Sequence, residues 1–197
     1  MATTESGIFT KPKIHRWTRE EYYKMGSMGF FAGERVELIE GQVIEMSPIY
    51  ELHATAVTIA DDLLREVFGK GWVIRVQNPL SFGEDSDPQP DLAVIAGRAR
   101  DFKDRHPSTA TLVIEVADSS LSYDRNNKAS LYAKGGITDY WIVNLPDRQL
   151  EIHRQPMADD GALYGFSYTE ISIIKEDGVV SPLAKPDAVI EVGELLP

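Results

Sequence analysis

Residues 111–145 read TLVIEVADSSLSYDRNNKASLYAKGGITDYWIVNL. Two short, nearly continuous apolar runs, Thr111–Ala117 and Asp139–Leu145, bracket a helical pattern that starts at Asp124, continues to Lys134 and is closed by Gly135 and Gly136. Runs of this kind are strands covered on both faces. A strand, a helix of about ten residues and a second strand form a right-handed crossover, which makes the two strands parallel. Asp124 is the expected N-cap of the helix.

The pattern extends in both directions. Upstream, Asp91–Ile95 is another continuous apolar run and Trp72–Val76 alternates, so both read as strands. From Glu51 to Phe68, apolar residues recur at Ala56, Ile59, Ala60, Leu63, Leu64 and Val67, the spacing of an amphipathic helix. Arg35–Glu40 and Gln42–Met46 form two strands turning at Glu40-Gly41. Thr18 and Glu21 make a capping box for a short helix. Leu80–Phe82 is a further short strand, and the acidic, proline-bearing loop Gly83–Pro90 is irregular. Downstream, Asp147-Arg148 joins the crossover's second strand to Leu150–Arg154 in a hairpin. Beyond Pro156 the signal weakens, with strands near Tyr164–Glu170 and Val189–Val192. The expected class is an α/β (α+β) core: a mixed sheet flanked by helices, with an antiparallel fringe. A flexible segment, residues 1–16, precedes a single domain, residues 17–197. That domain has its core over residues 35–155 and a C-terminal extension over residues 156–197.

The 197 residues contain no cysteine, which excludes disulfide frameworks, thiol nucleophiles and thiolate zinc sites. A chain of this length buries about 70% of its unfolded surface and needs no such staple. No apolar run reaches the length of a membrane span, and residues 1–13 lack the apolar middle of a secretory signal, so a cytoplasmic location is expected. The net charge is −11, from 20 basic and 31 acidic residues. Such a chain does not attract polyanions by bulk charge. A nucleic-acid substrate needs a bound cation or a local basic patch, and the loop carrying Arg98, Arg100, Lys103, Arg105 and His106 is one source, Lys11–Arg19 another.

Glu115 is the strongest anomaly, because Leu112, Val113, Ile114, Val116 and Ala117 around it are all apolar. A carboxylate on a buried strand is costly unless paired, protonated or bound to a metal. Asp91 opens the preceding strand directly after Pro88-Gln89-Pro90, a position that also suits a simple turn residue. Taken together the two place acids on successive buried strands, a donor set that suits magnesium, which takes one or two protein carboxylates and leaves the rest to water and phosphate. Lys128 follows Asp124 by one helical turn and Tyr132 follows Lys128 by another, so the three line one stripe, which either forms an exposed Asp–Lys pair or faces the sheet and aims the ammonium at the acids. Glu37 interrupts the apolar run Val36–Ile39. His53 at the start of the long helix reads as a capping or surface residue, and His15, His106 and His153 have no metal-ligand spacing.

The run Glu37-Leu38-Ile39-Glu40-Gly41, His53, Pro90-Asp91-Leu92-Ala93-Val94, Val113-Ile114-Glu115-Val116, Asp124, Lys128, Tyr132, Gly136-Ile137 and Tyr140-Trp141-Ile142-Val143 resembles the Uma-two family. That family is assigned to restriction endonucleases within the PD-(D/E)XK nuclease superfamily, and the likeness spans roughly residues 17–155 in the family's order. It implies a restriction-endonuclease-like mixed sheet and magnesium-dependent attack of water on a phosphodiester of nucleic acid, with DNA the expected polymer and manganese the expected substitute ion. By position, Asp91 and Glu115 are then metal ligands, Glu37 an additional acid and Lys128 the catalytic lysine. Two departures stand out. The superfamily's lysine two residues after the acid is Ala117 here, with Lys128 in its place, and the family's Ser-Pro pair is Ala117-Asp118. A nonenzymatic relative, keeping the fold to bind nucleic acid or protein, is the alternative. Cutting two strands with one site per chain implies a homodimer.

Overall fold

The computed structural model describes residues 13–197. Of the flexible segment expected over residues 1–16, residues 1–12 lie outside the described residues. A helix α1 (Arg19–Ser27) is followed by the hairpin strands β1 (Val36–Ile39) and β2 (Gln42–Glu45). Next come the long helix α2 (Glu51–Phe68) and the strands β3 (Trp72–Val76), β4 (Leu92–Ala96) and β5 (Leu112–Ala117). The crossover is α3 (Leu121–Tyr123), a π-helical turn (Asp124–Lys128) and α4 (Ala129–Lys134), leading to β6 (Asp139–Asn144). Strands β7 (Gln149–Ala158), β8 (Phe166–Lys175), β9 (Val179–Val180) and β10 (Ile190–Glu191) complete the chain.

Six strands form one sheet in the order β3-β4-β5-β6-β7-β8. The β5–β6 pair is parallel, as the crossover requires, and its neighbours are antiparallel. The mixed sheet with an antiparallel fringe is therefore as the sequence implies. One face, carrying Ile74, Leu92, Val94, Ile114 and Trp141, packs on α2 and on the C-terminal turn at Val192–Leu195. The other, carrying Ala93, Val113, Tyr140 and Ile142, packs on Tyr132 and Ala133 of α4. Both faces being covered explains why β4, β5 and β6 lack alternation.

Several boundaries differ from the sequence reading. Asp124 is not an N-cap: the helix begins three residues earlier, and the Asp124 N–H donates to the Ser120 carbonyl at 3.0 Å. Small acids favour caps, but the preceding Ser120-Leu121-Ser122 already turns helically. The strand expected near Tyr164–Glu170 is displaced to Phe166–Lys175, because Tyr164 and Gly165 belong to the preceding turn. The strand at Val189–Val192 shrinks to two residues as Val192 enters a 3₁₀ turn. Leu80–Phe82 forms no strand; Phe82 makes an isolated bridge to Ser86. The basic loop holds a short 3₁₀ helix at Ala99–Phe102.

Candidate functional site

The β4–β5 register pairs Leu92 with Ile114. One step further along, Asp91 lies opposite Glu115, so the two acids project from neighbouring strands to the same face. Opposed positions on adjacent strands hold their Cβ atoms about 4.5–5.5 Å apart. Backbone amides also hold the acids: the Asp91 N–H donates to Glu115 Oε2 at 3.0 Å, and the N–H of Val116, the residue after Glu115, donates to Asp91 Oδ2 at 2.9 Å. Asp91, the residue before β4, is thus held against Glu115 of β5.

Lys128 reaches them from the π-helical turn. Its ammonium lies 2.8 Å from Glu37 Oε2 on β1 and 3.2 Å from Glu115 Oε1. The Tyr132 hydroxyl donates to the same Glu115 Oε1 at 2.6 Å. Glu37 is further held by the Gln89 N–H at 3.0 Å. A π-turn is a rare interruption and shifts the helical phase between Asp124 and Lys128. Asp124, buried like Lys128, accepts from Ser120 Oγ at 2.6 Å and lines one cavity with it. Hence the exposed Asp–Lys pair does not form, and the inward-facing alternative does.

All four expected residues converge. Glu37 is 2%, Asp91 8%, Glu115 5% and Lys128 4% exposed, and they line one cavity of about 390 Å³. Burial sets the electrostatics. It pushes the Glu115 carboxyl up to about 8, against the pull of Lys128. Burial also works against the Lys128 ammonium, but Glu115 and Glu37 outweigh it and hold the amine above its ordinary range, so it stays charged. At Asp91 the burial penalty is exceeded by the hydrogen bond and charge of His53 and by the Val116 N–H, and its carboxyl sits below the usual value. Burial raises Asp124 to about 6. The site therefore distinguishes a readily ionised acid from one that resists ionisation.

Two partners of Asp91 escaped sequence reasoning. His53 Nε2 lies 3.1 Å from Asp91 Oδ1, and Gln77 Nε2 donates to the same oxygen at 3.2 Å. His53 is thus no mere cap: its bond to Asp91 raises its pKa against the effect of burial. A lone histidine in a helical pattern carries no trace of such a contact, and neither does a glutamine after a strand.

Among the described residues, no group of three or more His, Asp or Glu side chains is arranged to hold a metal ion. The donors at the site are hard carboxylate oxygens, and one pair faces a cavity with room for water. That set fits a cation content with two protein ligands, as magnesium is. Also among the described residues, no helix is long and apolar enough to cross a membrane.

The fold is similar to that of a solved structure from Anabaena variabilis ATCC 29413, described as a "putative nuclease belonging to DUF820". The TM-score is 0.68 at 14% identity, covering 90% of this chain and 96% of the other. No curated protein matches the sequence. The profile of the Uma2 family, described as "Putative restriction endonuclease", matches residues 19–184, and with that span covering most of the sequence the chain belongs to the Uma2 family.

Proposed function

We propose that the protein is a magnesium-dependent endonuclease that hydrolyses phosphodiester bonds in nucleic acid, with DNA as its polymer. One observation carries the reading: two carboxylates opposed across β4 and β5 share a cavity with a buried ammonium. Asp91 and Glu115 would hold the ion, magnesium or manganese. When bound, it supplies Lewis acidity and lowers the pKa of water. Lys128 provides a fixed positive charge 3.2 Å from Glu115, suited to orienting a water or to opposing charge that develops on phosphate. Glu37 fixes that ammonium from the other side. His53 and Gln77 orient Asp91. In the reaction a water oxygen bonds to phosphorus as one ester P–O bond breaks, giving a phosphate monoester and an alcohol.

The test is calorimetry with magnesium and manganese, alongside cleavage of plasmid, single-stranded DNA and RNA. Wild type is expected to bind the ion and cut DNA, and Glu115→Ala to do neither. A wild type that binds no ion, or a Glu115→Ala variant that cuts at the wild-type rate, overturns the reading and leaves the nonenzymatic binding module in its place. We also propose a two-fold homodimer acting in the cytoplasm. Light scattering showing a 22.0 kDa species throughout the micromolar range rejects the dimer.

A further inference from the structure

The cavity over the acids has a rim that the proposed chemistry does not use. Arg35, immediately before β1, lines it. The Arg35 carbonyl accepts from the Met46 N–H at 2.8 Å, which places Arg35 beside the segment Met46–Tyr50 at the open end of the hairpin. Arg19, Arg65, Arg98, Arg125, Arg148 and Arg154 each pair with a carboxylate. Arg35 is half-buried, yet among the described residues its guanidinium has neither an ion-pair nor a hydrogen-bond partner. An unpaired guanidinium at the rim of this cavity, apart from the Lys128 ammonium that Glu37 and Glu115 already hold, is suited to an anion that arrives from outside.

On the wall of the same cavity, Tyr50 is 60% and Ile49 42% exposed. Tyr50 occupies the N-cap position of α2 and makes no side-chain capping bond. A flat aromatic surface and a free guanidinium on one cavity wall match the two parts of a nucleotide, base and phosphate. The volume of about 390 Å³ is in the range that encloses a small ligand. Depth matters as well. Asp91 and Glu115 are almost wholly buried, so a reacting phosphate has to enter the cavity together with its nucleotide. A base that is paired and stacked in an intact duplex has to leave the stack first, whereas a single strand enters without that cost.

We propose that this rim is a subsite for one unstacked nucleotide: Arg35 takes the phosphate next to the scissile one and Tyr50 stacks on the base, so that the preferred polymer is single-stranded or locally unpaired. The inference rests on the nuclease reading for its choice of ligand, but its test does not require cleavage. Fluorescence anisotropy is measured with a labelled single-stranded oligodeoxynucleotide and with the same sequence closed into a hairpin duplex. Calcium, which shares magnesium's preference for oxygen ligands, replaces it, and gels confirm that the strands stay intact.

Wild type is expected to bind the single strand at least tenfold more tightly than the duplex. Tyr50→Ala loses about tenfold on the single strand, the scale of one base–aromatic stack, and nothing on the duplex. Tyr50→Trp restores the affinity, which excludes a folding defect as the cause. Arg35→Ala reduces the slope of log affinity against log salt by about 0.7, the value for one phosphate on a single strand. Equal binding of the two polymers, an unchanged single-strand affinity in Tyr50→Ala, or an unchanged salt slope in Arg35→Ala overturns the proposal. The two readings fail separately. Binding with this pattern but no cleavage in magnesium removes the nuclease and keeps the subsite; cleavage indifferent to both substitutions removes the subsite and keeps the nuclease.

Discussion

Lys128 is the only cation within 4 Å of both Glu37 and Glu115 among the described residues, and removing its charge tests the site most directly. Lys128→Met keeps most of the side-chain volume and leaves two buried acids without a counter-charge. Breaking a buried pair from one side costs about 3–5 kcal/mol, and protonation of Glu115, already pushed up to about 8, recovers part of this. Urea unfolding should therefore show a loss of roughly 2–4 kcal/mol. Magnesium-dependent cleavage should fall by two to three orders of magnitude, the usual scale for one preorganised electrostatic group. A variant as stable and as active as wild type would mean that the ammonium is a bystander. Much of this was readable in the sequence. Glu115 is visible because a charge interrupts an apolar run, and Lys128 through its spacing from Asp124 and Tyr132. The bond of His53 to Asp91, and any role for Gln77 and Arg35, are not legible there, since each depends on contacts between segments that local pattern does not encode.

At the scale of elements, the β1–β2 hairpin is the support on which Glu37 rests. Glu40 and Gly41 both have positive φ, 48° and 71°, the turn expected from their place between two strands. Gly41 has a second constraint: a Cβ there would lie 2.5 Å from the Arg16 Cβ and 3.0 Å from the Arg16 Cα. Gly41→Ala thus combines left-handed strain with a backbone clash and should cost about 2 kcal/mol. Because Glu37 lies on β1, the variant should also weaken the grip on Lys128, and cleavage should fall even at temperatures where the chain is folded. The π-turn is pinned from outside by Arg125, which donates to Glu151 at 2.8 and 2.6 Å. Arg125→Ala leaves Glu151 with Asn144 and Gln149 and should cost about 1.5–3 kcal/mol in thermal or urea unfolding. Elements buried on both faces, β4, β5 and β6, were legible because burial writes a continuous apolar run. The edge strand β8 was misplaced because its outer residues, including Ile171 and Ile173 at 57% exposed, break the expected alternation. The π-turn left no signal, since the bond that pins it joins residues 26 apart.

For the molecule as a whole, pH acts through two opposed effects. The charge of −11 repels itself in the folded state, and lowering the pH relieves that repulsion. His153 works the other way. It lies in the sheet against the rings of Tyr140 and Tyr168, at centroid distances of 5.4 and 5.7 Å, and its Nε2 has no hydrogen-bond partner. Burial therefore keeps the imidazole neutral and pushes its pKa down to about 4. The unfolded chain binds a proton at this residue near pH 6.5, the folded chain only near pH 4, so between those values unfolding takes up a proton. Stability contributed by the neutral ring is complete above pH 6.5 and is lost as pH falls toward 4. At 1.36 kcal/mol per pKa unit the loss reaches about 3 kcal/mol. His153→Phe keeps an aromatic ring among the tyrosines and cannot titrate. The stability of wild type minus that of His153→Phe, from urea unfolding at pH 4 to 8, should be flat above pH 6.5 and fall steadily below it, since the carboxylates and the net charge contribute equally to both proteins. A flat difference throughout would show that His153 takes its proton in the folded state as readily as in the unfolded one, and that the ring cluster opens to water.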